Sequence, residues 1–179
     1  MNAITYRPLA AADLERLGEI DRTERIETLY IQQGEQLVER AATFDVPPWS
    51  AEGDHEHSLA YLRAFCERHL AAGGVALGAF DGPRLVGIGV VTPHVRPGVA
   101  QLALLHVSHG YRDRGIGRRL AESMDDIARA AGHTTMVVSA TPSVHTVRFY
   151  VGCGFAPMAE PLPELYALEP EDVHLSKSL

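Results

Sequence analysis

The chain is poor in several things, and each scarcity narrows its function. Its 179 residues contain two cysteines, Cys66 and Cys153, and one tryptophan, Trp49. Two cysteines so far apart fit neither a zinc-ligand spacing nor a disulfide framework. They read as reduced thiols, which suits a cytoplasmic protein. Basic side chains are the minority, 16 Lys and Arg against 23 Asp and Glu, for a formal net charge of −7. A surface for nucleic acid or anionic membrane wants a basic excess, so neither is an expected partner. No apolar run is long enough to span a bilayer. The N-terminal "MNAITYRPLAAADLERL" lacks the basic-then-apolar order of a signal peptide. His55 and His57 flank Glu56, but two histidines at i, i+2 in a loop read as polar surface, and no metal is expected.

What is present is ordinary for a globular domain: 46% hydrophobic and 22% charged residues. The length fits one domain over residues 1–179 with a full core. "ITYRP", Ile4 to Pro8, reads as a strand. Ala11 to Ile20 has Leu14, Leu17 and Ile20 at helical spacing, with Asp13 as a first-turn acid. "RIETLYIQQGEQLVERAATFDV" reads as a hairpin about "QQGE". His57 to Ala72 is an amphipathic helix closed by Gly73 and Gly74. Val75–Phe80 and Leu85–Val91 flank "DGPR", a hairpin signal, and "PHVRPG" reads as a loop. Gln101 to Ser108 is apolar enough for a strand buried on both faces. A helix from Gly115 or Ile116 to Ala131 turns Ile116, Leu120, Met124 and Ile127 inward. A strand over Thr134–Ala140 and a short helix closed by Gly152 or Gly154 come next. The last stretch, "PELYALEPEDVHLSKSL", holds one or two closing strands, Asp172 to Leu175 the better. The fold class is α+β: a mixed, mostly antiparallel twisted sheet flanked by helices.

One stretch carries chemistry. "YRDRGIGRRLAESM", Tyr111 to Met124, places two glycines and four arginines at a helix entrance in an acidic chain. The first amides of a helix have no partner inside it. Gly115 and Gly117 leave them bare, the helix dipole attracts negative charge, and Arg112, Arg114, Arg118 and Arg119 surround the same end. This is a site for a phosphate or pyrophosphate. It is not a P-loop, for it lacks Gly-Lys-Ser/Thr. It is not a dinucleotide fingerprint either, since Leu120 stands at the third glycine position and the next strand ends in Ser139–Ala140.

The strand, then Arg112-Asp113-Arg114-Gly115-Ile116-Gly117, then the amphipathic helix, resembles the acetyl-CoA signature Arg/Gln-x-x-Gly-x-Gly/Ala of the GCN5-related N-acetyltransferase (GNAT) family. Downstream, Ser143 to Phe155, with Phe149-Tyr150 and Gly154-Phe155, resembles the family's later segment. The resemblance implies a GNAT-type fold and an enzyme that takes acetyl-CoA as cosubstrate and acetylates a primary amine of a small molecule or peptide. It implies that Leu105, His106 and Val107 offer backbone groups to the pantetheine arm, with the Val107 amide polarising the thioester carbonyl. It implies that Arg112, Asp113, Arg114, Gly115, Ile116, Gly117 and Arg118 wrap the pyrophosphate. Tyr150 matches the tyrosine that protonates the departing thiolate. Many relatives are dimers, so a homodimer is a possible assembly.

The pattern is broken at two points. Ser143 stands where the family often has a pantetheine-binding Asn. "MVVSATPS" carries no acid where some relatives place a glutamate base. The general base is therefore unassigned. His106 is close to the thioester site, but a packed histidine is the better reading, and His109 and His145 read as solvated. Asp21, Glu24 and Glu27 could hold a cationic amine or end a solvated helix. Trp49 and Tyr30 read as packing, and Glu164 and Tyr166 are outside guesses. A non-catalytic CoA-binding module is the alternative that the absent base and Ser143 favour. A nucleotide-binding domain with an atypical glycine loop is a weaker one.

Overall fold

The computed structural model describes residues 3–179, without the side chain of His94. The elements run β1 (Ile4–Pro8), a 3-10 helix (Ala11–Glu19), β2 (Glu24–Gln33), β3 (Gln36–Val46), α1 (Leu59–Ala71), β4 (Val75–Asp81), β5 (Arg84–Arg96), β6 (Val99–Val107), α2 (Ile116–Ala130), β7 (Thr135–Ala140), α3 (Val144–Gly152), β8 (Ala156–Pro157), α4 (Pro163–Tyr166) and β9 (Val173–Ser178). Seven strands form one sheet in the order β1-β4-β5-β6-β7-β9-β8, and β2 and β3 pair as a separate hairpin. Among the described strands of this sheet, β6 and β7 run parallel and the other neighbours pair antiparallel.

Two large apolar clusters and a smaller third cover the sheet. In one, Leu14 and Leu17 of the 3-10 helix and Leu62 and Cys66 of α1 bury against Ala76, Phe80, Leu85, Ile88 and Val90. Burial pushes the Cys66 thiol up to about 12, so it stays a protonated packing group. In the other, Met124 and Ala128 of α2 meet Val147 and Tyr150 of α3 and Met136, Val138 and Leu175 of the sheet. Leu120 is fully buried between Ile116 and the strand residues Ala79 and Val86. Truncating it to alanine would cost about 2–5 kcal/mol.

The local signals account for most boundaries. The Ser58 hydroxyl accepts from the Tyr61 amide and starts α1, and Gly73, at φ +86°, ends it. The Asp13 carboxylate accepts from the Ala10 amide at 3.0 Å and pairs with Arg7 at 2.7 Å, the first-turn acid expected of it. Two expectations change, and one is narrowed. "PHVRPG" is not a loop: β5 continues to Arg96, and Arg96 pairs with Val99 across a tight turn. The final stretch holds one strand, with α4 before it. Finally, β6 is not buried on both faces throughout; Ala100 and Leu102 are buried, but Ala103 to Val107 are only partly covered.

That last difference matters most. β6 and β7 pair only at Val99↔Thr135, Ala100↔Met136 and Gln101↔Val137. Beyond Gln101 the strands part, and residues of both line a cavity. The register against β5 jumps from Leu104↔Val90 to Leu102↔Val91, leaving Ala103 as the extra residue of a bulge. A bulge bends its strand and re-aims the residues beyond it. The opening between the strands is therefore built into the sheet.

Candidate active site

The cavity has a volume of about 900 Å³. Its walls are the end of β6, the start of α2, the end of β7, the first turns of α3, parts of β2 and β3, and the C-terminal residues Glu169 and Asp172. It has two chemically different ends.

The first end is cut for an anion. Gly115 is the N-cap of α2 at φ +78°, a left-handed conformation that side chains rarely adopt, with open space where a Cβ would stand. The first intrahelical bond there runs from the Arg119 amide to the Gly115 carbonyl at 3.0 Å. The amides of Ile116, Gly117 and Arg118 are left without helical partners at the positive end of a 15-residue helix. Gly117 has a different reason to be glycine: an added Cβ would meet the Phe149 ring at 3.2 Å. It lets α2 and α3 approach.

The four arginines divide by role. Arg112 is half-buried, donates from Nε to the Val107 carbonyl at 3.3 Å, and pairs with Glu24 at 3.2 Å. It ties the hairpin to β6. Arg118 lines the cavity, with Nη1 on the Gly152 carbonyl at 3.1 Å. Arg114 lies over the Tyr111 ring, 5.3 Å from its centre, outside the cavity wall. Arg119 is also outside the wall and acts electrostatically on Tyr6 of β1. Asp113 lines the cavity at φ +59°. Ile116 gives its side chain to the core.

The end of β6 supplies backbone groups. The Ser108 amide donates to the Val86 carbonyl at 2.8 Å. Strand alternation then turns the Leu105 and Val107 amides the other way, toward the space that β7 has vacated. His106 also lines the cavity, edge-on to Trp49 with ring centres 5.3 Å apart. Burial, with Arg22 and Arg112 nearby, pushes it down to about 4, so it is neutral at physiological pH. Arg22 lies over the Trp49 ring at 4.3 Å. Arg22 Nη1 and Trp49 Nε1 are buried donors without a hydrogen-bond partner among the described residues.

Tyr150, on α3, is 5% exposed and lines the cavity. Its ring is wedged edge-on between Phe149 and Phe155, at 5.2 and 5.6 Å. Its hydroxyl has no hydrogen-bond partner among the described residues. Burial raises it further above its ordinary value, with the charges of Cys153, Asp172 and Glu169 adding to the shift. It is a protonated donor with no acceptor among the described residues. Ser143 is placed otherwise: it is 2% exposed, caps α3 by accepting from the Thr146 amide at 3.2 Å, and does not line the cavity.

The remaining candidates scatter. Asp21 is held low by Thr23, which donates to it from hydroxyl and amide. Glu24 belongs to Arg112, and Glu27 is an exposed partner of Arg25. Tyr30 donates to Glu39, and Glu164 is paired with Arg96 at 2.6 Å. Tyr166 is half exposed beside His174. Of the other histidines, His145 lines the cavity, His109 is exposed with Nδ1 at 3.0 Å from the Thr23 carbonyl, and His55 and His57 meet edge-on with ring centres 6.3 Å apart. Among the described residues no group of side chains could hold a metal ion.

Sequence reasoning missed the second end of the cavity. Glu169 and Asp172 face it from the segment before β9. Burial, then the neighbouring charges of Glu169 and Glu56, push Asp172 up to about 7. Glu169 sits at the exposed rim, and partial withdrawal from water raises it. The only signal was the acid-rich "EPED", which is also ordinary surface composition.

A split parallel pair opens onto a glycine-capped helix start suited to an anion, with the Tyr150 donor in the same cavity. The model of the acetyltransferase (GNAT) family matches residues 34–155, and the chain belongs to that family and is an acetyltransferase. No curated protein matches it. Among solved structures it is similar to nourseothricin acetyltransferase, at 18% identity and TM-score 0.72, covering 99% of each chain. It is similar to a Bacillus anthracis str. Ames protein assigned as a streptothricin acetyltransferase and solved with acetyl coenzyme A, at 14% identity and TM-score 0.73, again over 99% of each chain. A PaiA N-acetyltransferase from Thermoplasma acidophilum in complex with coenzyme A is similar at 18% identity and TM-score 0.65, with 99% of each chain covered. At these identities the likeness is one of fold. No described helix is long and apolar enough to cross a membrane.

Proposed function

We propose that residues 1–179 act as one domain that transfers the acetyl group of acetyl-CoA directly to a primary amine of a small molecule or peptide. The Leu105 and Val107 amides would hold the pantetheine arm and the thioester carbonyl, and the bare amides of Ile116 to Arg118, with the Arg118 side chain, the pyrophosphate. The cosubstrate supplies an activated acyl group. Polarised by the Val107 N–H, that carbonyl is open to an amine arriving from the Asp172 side. Tyr150 gives its proton to the departing sulfur. Neither cysteine lines the cavity, which favours direct transfer over a covalent acyl-enzyme. Nourseothricin and streptothricin acetyltransferases as fold neighbours support an amine of small-molecule type.

The observation that carries this reading is the buried, partnerless Tyr150 hydroxyl in the same cavity as the anion end. The test is Tyr150→Phe, assayed by thiol release from acetyl-CoA. Turnover should fall about 100-fold, the scale of general acid catalysis, with CoA affinity by calorimetry nearly unchanged. Wild-type turnover in this variant removes Tyr150 from the mechanism.

A further inference from the structure

We propose that Asp172 takes the proton from the acceptor's ammonium, and that Glu169 beside it sets the pH at which it does so. This rests on the N-acetyltransferase reading above and supplies the base which that reading lacks. Four carboxylates line the cavity: Glu24, Asp113, Glu169 and Asp172. Glu24 is neutralised by Arg112, and Asp113 stands in the anion-binding turn. Glu169 is exposed at the rim. Asp172 is less exposed than Glu169, and among the described residues its side chain has no hydrogen bond or ion pair. It lies close enough to Tyr150 to shift it electrostatically. A partnerless, 5%-exposed phenol and a partnerless carboxylate thus share one chamber. One is a donor in search of an acceptor, the other an acceptor in search of a donor, and acetyl transfer to an amine needs both.

The charged groups that act on Asp172 are few. Glu169 and Glu56, the latter on the loop between β3 and α1, repel its negative form. Arg22 lies within electrostatic range of Glu56. A carboxyl poised near neutrality is a better base than one at its ordinary value. His106 is the rival, but a neutral imidazole held down to about 4 is a poor base. The acids at this end also favour an acceptor that arrives as a cation.

The protons balance. The ammonium gives one proton to Asp172, directly or through one water, and Asp172 releases it to solvent. The free amine attacks the thioester carbon. As the C–N bond forms and the C–S bond breaks, the nitrogen loses a second proton, which through water restores the one Tyr150 gave to sulfur. An amide and a thiol result, with one proton released per turnover.

The experiment is a pH profile of kcat/KM for thiol release from acetyl-CoA, with n-butylamine, 1,4-diaminobutane and a lysine-containing tripeptide as acceptors. Wild type should show an acidic limb near neutral pH. Asp172→Asn should lose that limb and fall about 100- to 1,000-fold in kcat/KM, with CoA affinity retained by calorimetry. Glu169→Gln should move the limb to lower pH, because one like charge beside Asp172 is gone. A limb unchanged in Glu169→Gln, or retained in Asp172→Asn, overturns the assignment while leaving the acetyltransferase reading intact. Should Asp172→Asn fail to fold, Glu169→Gln decides alone. Wild-type silence with every amine overturns both.

Discussion

The two ends of the cavity are built in opposite ways. The anion end is one stretch of chain: β6, a short turn and the start of α2, all within Val99–Ala130. Its charge comes from the backbone as much as from side chains, through amides a helix cannot satisfy. The carboxylate end comes from Glu169 and Asp172, in the segment before β9 and far along the chain from β6. Its charge comes from carboxylates that burial has made easier to protonate. A local site is written in adjacent letters, while a site made by convergence depends on where distant segments meet.

That contrast can be broken first at the anion end. Arg118→Glu should weaken CoA binding at least tenfold, from the roughly 1.5–3 kcal/mol of a hydrogen bond to a charged group. Arg119→Glu should change it little, since Arg119 is outside the cavity wall. Equal losses in calorimetry would mean that charge near the helix start, not geometry, does the holding. A smaller effect is expected at Ser143, which the family pattern would place on the pantetheine. Ser143→Ala should cost about 1 kcal/mol of stability, the value of a helix cap, and leave CoA affinity unchanged. Lost affinity with intact stability would return Ser143 to the cosubstrate.

The smallest effect concerns the carboxylate end and stability. The folded-state value of Asp172 is raised from 3.8 to about 7. Between those values the folded chain binds more protons than the unfolded one, so this group's contribution falls as pH rises. Its penalty is absent below the unfolded value and complete above the folded one. Asp172→Asn should therefore raise Tm slightly at about pH 8 and not at about pH 4. A rise of equal size at both would show that the carboxylate's charge is not the cause. Stability given up for a poised group is common at functional sites.

Much of the fold was legible because its signals are local. β1, the "QQGE" hairpin, α1 with Ser58 and Gly73, and α2 with its inward Leu120 and Met124 each follow from capping, turn chemistry or a 3.6-residue period. The misreadings were tertiary. "PHVRPG" stays extended because β6 continues the ladder beside it. The apolar run of β6 looked doubly buried because the sequence does not reveal where β7 leaves it. Glycines 115 and 117 looked equivalent, but one is needed for its backbone angle and the other for the Phe149 ring.

The sequence by itself determined the strand, the glycine-capped helix start and the tyrosine helix downstream, because those depend on neighbouring residues and on the amides a helix leaves unpaired. It also carried the family resemblance. Only the tertiary structure decided which arginines face the cavity, that Ser143 serves a helix cap, and that Asp172 lines the same cavity as Tyr150. Burial and proximity between distant segments set those properties, and they exist only once the chain has closed on itself.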